Sequence, residues 1–398
     1  MKRVLFIVLI ANALVANAQI NVSDYTGFME QKHLSPKEYI IDLFKTNDIV
    51  IIGERDHRNT TQYDVIQDII GDEWFIKNVG YVYTEVGVVN TTEWANSVLK
   101  GEYSNNGDFE KELIKLYREI DFNPIWDKYN MYKYLKGIYS INCKLENNEK
   151  VTVGFTDCEF DWEGMTSEKY KSFEKVLPKR DSLMANNFIK LFEGQRQLNG
   201  HRKALIIQSQ PHAIRMGQSY KMKSFGMYVS EKYNQKVKVV LFNWYNWVPQ
   251  YMHVYPWVTE KKVELVDDGK WDAAFEKTNC NPIGFNLKDS PFGETHFFYS
   301  YMHRDKFMDI ADGIIYDTPF YRFVYEIGIP NVVDKKFSKE LVNRDIVTVG
   351  SNSLKGIGMR LIRWRLKKVE QKYYNEVRAV VFPEKSDLKA QMDKWINK

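Results

Sequence analysis

Four places in the chain join an apolar run to ionisable residues that follow at once. Residues 49–53 lead into Glu54 and His57, and 81–84 into Glu85. Residues 151–156 lead into Asp157 and Glu159, and 203–208 into Ser209-Gln210-Pro211-His212. A histidine that titrates near neutral pH can take a proton from water, and a carboxylate beside it fixes its tautomer and stabilises its charged form. A second histidine and a second carboxylate can position that water or protonate a leaving oxygen. Glu54, His57, Glu85 and His212 are therefore the candidate catalytic residues. Arg180 offers a guanidinium for a substrate carboxylate or a developing oxyanion. The reading needs no cofactor, although the same four residues are also a reasonable donor set for a divalent metal such as zinc or manganese. A Glu and a His in one polar loop are often merely solvated, but here four expected strand ends repeat the pattern.

The elements that must position these groups follow from the apolar spacing. Ile49-Val50-Ile51-Ile52 is β-branched throughout, as in a strand buried on both faces of a parallel sheet. Further strands are expected at 81–86, 151–156, 203–208, 237–242 and 313–317. Ser35-Pro36-Lys37-Glu38 opens a helix, with Ser as N-cap, Pro at the first position and Glu three residues after the cap. Helices are also expected over about 61–70, 109–120 and 130–140, and after Pro178, where Asp181 suits the positive end of the helix dipole. Alternating strands and helices specify an α/β fold: a mainly parallel central sheet with helices on both faces, plus a helical C-terminal extension. Ligands bind such sheets at the carboxyl ends of the strands. His57 and His212 should then share one edge, and Glu85 should be buried and paired with His57, Arg180 or a cation.

Residues 1–18 are built differently. Lys2-Arg3 precede a mostly apolar stretch over 4–15, and Ala16-Asn17-Ala18 precede Gln19. This is the pattern of a secretory signal peptide, and the apolar stretch falls short of the roughly 20 residues that span a bilayer. Export to the periplasm or the extracellular space is expected, with no transmembrane segment in the mature chain. Removing the leader takes the formal charge from +4 to +2, which gives no case for nucleic acid as a partner. Three cysteines, with no Cys-x-x-Cys, exclude a disulfide-stapled scaffold and a zinc knuckle. A nucleophilic serine elbow, a P-loop and a dinucleotide-binding glycine pattern are likewise missing.

Residues 244–257 are crowded with rings, among them Trp244 and Trp247, which are candidate substrate-binding residues for a bulky, partly apolar ligand or a sugar. Core packing is the competing use of such rings. Residues 354–373 suit a helix with a local charge excess of +6, either a face for anionic lipid or polysaccharide or a solvated face.

Several short motifs carry a resemblance. Ile51-Ile52-Gly53-Glu54-x-x-His57, Tyr83-Thr84-Glu85-Val86, Arg180-Asp181-Ser182-Leu183-Met184-Ala185-Asn186-Asn187 and His212 near a strand end resemble the erythromycin esterase family. That family belongs to a wider group with the ChaN-like haem-binding proteins and the TIKI proteases. The resemblance spans about residues 48–320. It implies a hydrolase that opens a small-molecule ester or lactone with water activated by His57, assisted by Glu54, Glu85 and His212. It also implies a catalytic domain over 19–335, leaving 336–398 as a basic helical extension packed on it. Two departures stand beside the proposed pocket: Arg58 replaces the glycine that usually follows the first histidine, and Gln208-Ser209-Gln210 replaces the usual approach to the second. The family's macrolide substrate is therefore not carried over. The alternatives are a ChaN-like protein that binds haem, iron or another ligand, and a TIKI-like metal-dependent peptidase. As the base, His57 should give a rate that rises with pH, and as a cleft residue its replacement by Asn should change stability little.

Overall fold

Alternate side chains of a strand point to opposite faces, and in the central strands both sets are apolar. Ile49 and Ile51, Tyr81 and Tyr83, Ile206, Val239 and Leu241 lie in one core cluster. Val50 and Ile52, Val82, Leu205 and Ile207, Val240 and Phe242 lie in a second. Strands buried on both faces need helices above and below them.

The computed structural model describes residues 20–200, 202–215, 223–251, 259–297, 305–349, 371–380 and 385–398. The strands that matter here are β1 (Ile49–Glu54), β2 (Tyr81–Val88), β3 (Thr152–Asp157), β4 (Ala204–Ser209), β5 (Val237–Phe242), β6 (Tyr245–Tyr251), β7 (Thr259–Leu265), β8 (Ile283–Asn286) and β9 (Gly313–Tyr316). Seven of them form one sheet in the order β3-β2-β4-β1-β5-β9-β8, while β6 and β7 pair as a separate hairpin. The sheet is parallel except for β8, which runs antiparallel to β9. The first cluster is covered by helix Arg180–Asn199, through Met184, Phe188 and Phe192, and by Phe225, Val229, Trp271 and Phe275. Helices Pro36–Thr46, Thr61–Ile70, Asn106–Tyr117 and Tyr129–Asn142 cover the other. This is the α/β arrangement read from the sequence. The capping box of Ser35 and Glu38 forms as expected. The four-residue β8 was not anticipated, being too short to show a period.

Strand β3 is an edge, and its outer backbone groups are taken up by side chains. Asn96 bonds Val153 through both its nitrogen and its carbonyl. Thr92 Oγ1 accepts from Phe155 N–H, and Asn142 Oδ1 from Val151 N–H. An edge closed in this way offers no ladder to another chain.

Phe337 and Leu341 of helix Phe337–Val349 lie in the second cluster, and Leu388 and Met392 of the C-terminal helix Lys385–Ile396 in the first. Residues 1–18, read above as a leader, and nearly all of the basic segment at 354–373 lie outside the described residues. Among the described residues no helix is long and apolar enough to cross a membrane.

Strand β2 ends in a conformation that only glycine adopts readily. Gly87 has φ +141°, and a Cβ there would sit 2.2 Å from the Phe155 ring. Gly87→Ala is expected to cost about 1–3 kcal/mol in overpacking, read as a lower urea midpoint. An unchanged midpoint would show that Phe155 moves aside freely.

Candidate active site

Strands β2, β4 and β1 are neighbours, so their carboxyl ends open on one edge of the sheet. Glu54 closes β1 opposite Ser209, the last residue of β4. The pairing of β2 with β4 stops at Thr84 and Ile207, and its register with β3 shifts between Thr84 and Val88. Such an irregularity re-aims a side chain. Glu85, inside it, accepts the backbone N–H of Ser209 at 3.1 Å, where the ladder would otherwise continue.

His57 lies between two carboxylates. Its Nδ1 is 2.6 Å from Glu54 Oε1 and its Nε2 is 3.1 Å from Glu85 Oε1. Gln62 Nε2 donates to the other oxygen of Glu54 at 3.4 Å. His212, on the short helix Gln210–Ala213, approaches Glu85 from the other side. Its Nδ1 is 2.8 Å from Asp181 Oδ1, and its Nε2 is 3.8 Å from Glu85 Oε2. That Glu85 oxygen is buried and accepts no protein hydrogen bond. Asp181 also accepts the N–H of Phe225 at 2.7 Å, which ties two helix starts to one carboxylate.

Arg180 begins helix Arg180–Asn199 and forms a two-toothed fork with Asp157 at the end of β3, at 2.9 and 2.8 Å. Asn187, two turns on, bonds the carbonyls of Thr156 and Asp157 and seats the helix there. The fork leaves Arg180 Nη1 turned toward His212 Nε2, at 3.5 Å. Residues 121–126 flank the group: the Arg180 guanidinium stands 5.5 Å from the Phe122 ring centre, and Trp126 meets the His57 ring edge-on at 5.0 Å.

These groups are layered. The side chains of His57, His212 and Arg180 are 26%, 21% and 27% exposed, whereas those of Glu54, Glu85 and Asp157 are at most 1% exposed. The accessible layer is therefore largely N–H groups, and most of the anions that hold them charged lie beneath. Burial opposes the charge on His57, but Glu54 and then Glu85 outweigh it and raise its pKa to about 10. Burial likewise opposes ionisation of Glu85, yet His212, His57 and Arg180 together hold it well below the usual carboxylate range. His212 is raised too, by Glu85 and Asp181 against burial. Asp121, behind Arg180, is pushed up to about 6 by burial and, secondarily, by Asp157.

The structure thus brings together Glu54, His57, Glu85, His212 and Arg180. Glu159 is exposed. Trp244 packs against Tyr245 and the first core cluster, and the side chain of Trp247 lies outside the described residues. Arg180 is already committed to Asp157, which leaves one nitrogen rather than a free fork for a ligand. His57 links two buried carboxylates, so its removal bears on stability, contrary to the expectation for a cleft residue. Glu54, His57 and Glu85 can also converge as metal donors, their ligand atoms lying within 4.8 Å of one another. The partnership of Asp181 with His212, the bridge made by Gln62 and the flank made by Trp126 were not read from the sequence. The one signal for Asp181 was its place beside Arg180 in the first turn of a helix.

No protein-family model matches the chain, and no curated protein matches it. Solved structures similar in chain path include a Bacillus cereus protein, 13% identical over 75% of this chain and 97% of that one, with TM-score 0.45. An erythromycin esterase mutant in its open conformation is 10% identical over 70% of this chain and 92% of that one, with TM-score 0.44. ChaN of Campylobacter jejuni, solved with cofacial haem, is 12% identical over 56% of this chain and 89% of that one, with TM-score 0.31. No activity is carried over at this level of likeness.

The opposed shifts of His57 and Glu85 fix a pH window. A histidine raised from 6.5 to about 10 stabilises the fold fully below 6.5 and loses that contribution as pH rises toward 10. A carboxylate lowered from 4.5 contributes fully above 4.5 and loses it as pH falls. The stability difference between wild type and Glu85→Gln should therefore be greatest between about pH 4.5 and 6.5. Denaturation midpoints across pH measure it, and a difference that is flat from pH 4 to 10 would show that the cluster does not bind protons as described.

Proposed function

We propose that the protein is a hydrolase that opens an ester or lactone bond of a small molecule with histidine-activated water. The observation that carries this reading is the sharing of Glu85 by two histidines, each held at its other nitrogen by its own carboxylate. Glu54 fixes the tautomer and tilt of the His57 ring, and Glu85 stabilises the imidazolium that forms when the ring takes a proton from water. His212, oriented by Asp181, is placed to return a proton to the leaving oxygen. Arg180 Nη1 is the donor left over for the oxyanion. The reading includes export, on the strength of the leader-like residues 1–18, and a catalytic domain over 19–335.

A second reading has a divalent cation on Glu54, His57 and Glu85. The convergence of the three donors favours it. The geometry is less favourable, because both His57 nitrogens lie at hydrogen-bond distance from carboxylates, whereas a zinc ion needs about 2.0–2.2 Å to each donor. The ring would have to turn to ligate. Under this reading a bound cation would supply Lewis-acid activation of water, and metal analysis of the purified protein, with a chelated control, distinguishes it. A ChaN-like role would instead give a Soret shift on adding haem.

To act as base His57 must first lose its proton, and the two carboxylates keep that proton on up to about pH 10. If His57 is the base, kcat/KM toward p-nitrophenyl esters or macrocyclic lactones climbs about tenfold per pH unit toward that value. His57→Asn should lose roughly 10²–10⁴-fold in turnover per folded molecule. It should also melt lower than wild type, since Glu54 and Glu85 lose the cation between them. A folded variant with the wild-type rate, or a profile flat from pH 6 to 9, would move the role of base to another group, with His212 next.

A further inference from the structure

Behind the candidate base lies a second charge network, centred on a buried guanidinium, that the hydrolytic step does not use. The side chain of Arg55 is 0% exposed. Its Nε donates to the carbonyl of Asn243 at 2.6 Å and its Nη2 to Asn243 Oδ1 at 2.8 Å, and Nη2 also pairs with Asp317. Nη1 reaches Asn59 Oδ1 at 3.3 Å and Thr61 Oγ1 at 3.4 Å. The guanidinium stands 4.0 Å from the centre of the Phe323 ring and 5.0 Å from that of Phe242. Burial pulls its pKa down to about 9, which leaves it charged at neutral pH.

Asn243 follows β5 and Asp317 follows β9, while Asn59 and Thr61 lie on the return of the loop that carries His57. One side chain therefore joins that loop to the ends of two strands. The backbone extends the connection: Arg55 N–H donates to Gln62 Oε1 at 2.6 Å. Gln62 Nε2 in turn reaches Glu54 Oε2 at 3.4 Å and the carbonyls of Asp56 and Asn59 at 3.3 Å. Gln62 stands between Arg55 and the carboxylate that orients His57.

We propose that Arg55 is a positioning residue, whose guanidinium is the core around which residues 55–62 fold and which thereby sets the placement of Glu54 and His57. It acts through those two residues and touches no substrate. Stability alone is a weak reason for such a group, because a buried ion pair can often be replaced by apolar side chains at no loss. A lysine keeps the charge but has three donors on one atom, where the guanidinium presents five in a rigid fork. It cannot hold Asn243, Asp317, Asn59 and Thr61 together.

The test has a kinetic arm, which rests on the hydrolase reading, and a spectroscopic arm, which does not. In Arg55→Lys, kcat per folded molecule should fall about 10²-fold, the cost of a displacement near 1 Å, with KM little changed. In Arg55→Ala, free guanidinium at non-denaturing concentration should restore part of kcat by refilling the cage. The low-field proton NMR signal of the His57 ring N–H bonded to Glu54 should shift or vanish in both variants. A folded Arg55→Lys with wild-type kcat and an unmoved His57 signal would overturn the proposal. If neither Arg55 variant folds, Asp317→Asn, which keeps the shape and removes the charge, decides by the same signal: a shift supports positioning and an unmoved resonance overturns it. Should the wild type hydrolyse no ester, the hydrolase reading fails, and the NMR arm alone still judges Arg55.

Discussion

A carboxylate buried within an apolar strand, just past the point where its pairing with β4 stops, is the constraint from which the arrangement of this site follows. Glu85 is charged and 1% exposed, and an isolated ion in that setting is too costly to keep. Two histidines, one backbone N–H and the field of Arg180 meet the cost. Those groups come from the loop after β1, the end of β4 and the start of a helix that follows β3. The demand of one side chain therefore fixes how four segments meet at the sheet edge.

The same demand accounts for the layering. Each cation around Glu85 has a second anion of its own: Glu54 for His57, Asp181 for His212 and Asp157 for Arg180. Without them, three like charges would crowd one pocket and repel one another. With them, positive groups can be held close together near the surface over anions that are mostly buried. Donors fixed in this way do not need to reorganise when negative charge develops above them, which is the usual source of electrostatic stabilisation in a catalytic site.

What the sequence could disclose was local. Gly53-Glu54-x-x-His57 puts two groups three residues apart after a buried strand, and both reach the site. Glu85 is the one charged residue in the run 81–88, so it stands out. Asp157 and Glu159 were indistinguishable by composition, yet one is buried against Arg180 and the other is exposed. What separates them is that Asp157 closes β3 and accepts the Arg180 fork, a contact made across 23 residues. Asp181 and His212 meet across 31 residues, because the helix starting at Arg180 is seated on β3 by Asn187. No spacing in the chain encodes that meeting. Arg55 was hidden for a different reason: beside Glu54 and Asp56 it reads as one more solvated charge, and only the closing of β5 and β9 behind it makes it interior.

The pairing that builds the site also restrains it. The pairing of Glu85 with His57, which helps Glu85 stay ionised inside the fold, also holds a proton on His57, because that attraction is mutual. A free base at neutral pH would require Glu54 or Glu85 to be drawn away from the ring, or its charge to be offset by something entering the site. Under the hydrolase reading, a substrate carbonyl set against Arg180 and His212 would compete for those cations and loosen their hold on Glu85, whose field on His57 would then grow. That leaves His57 harder to deprotonate but better able to stabilise the charge once the proton has arrived. The balance between those two effects is set by how firmly Glu54 and His57 are held in place, and so by the loop between β1 and Gln62.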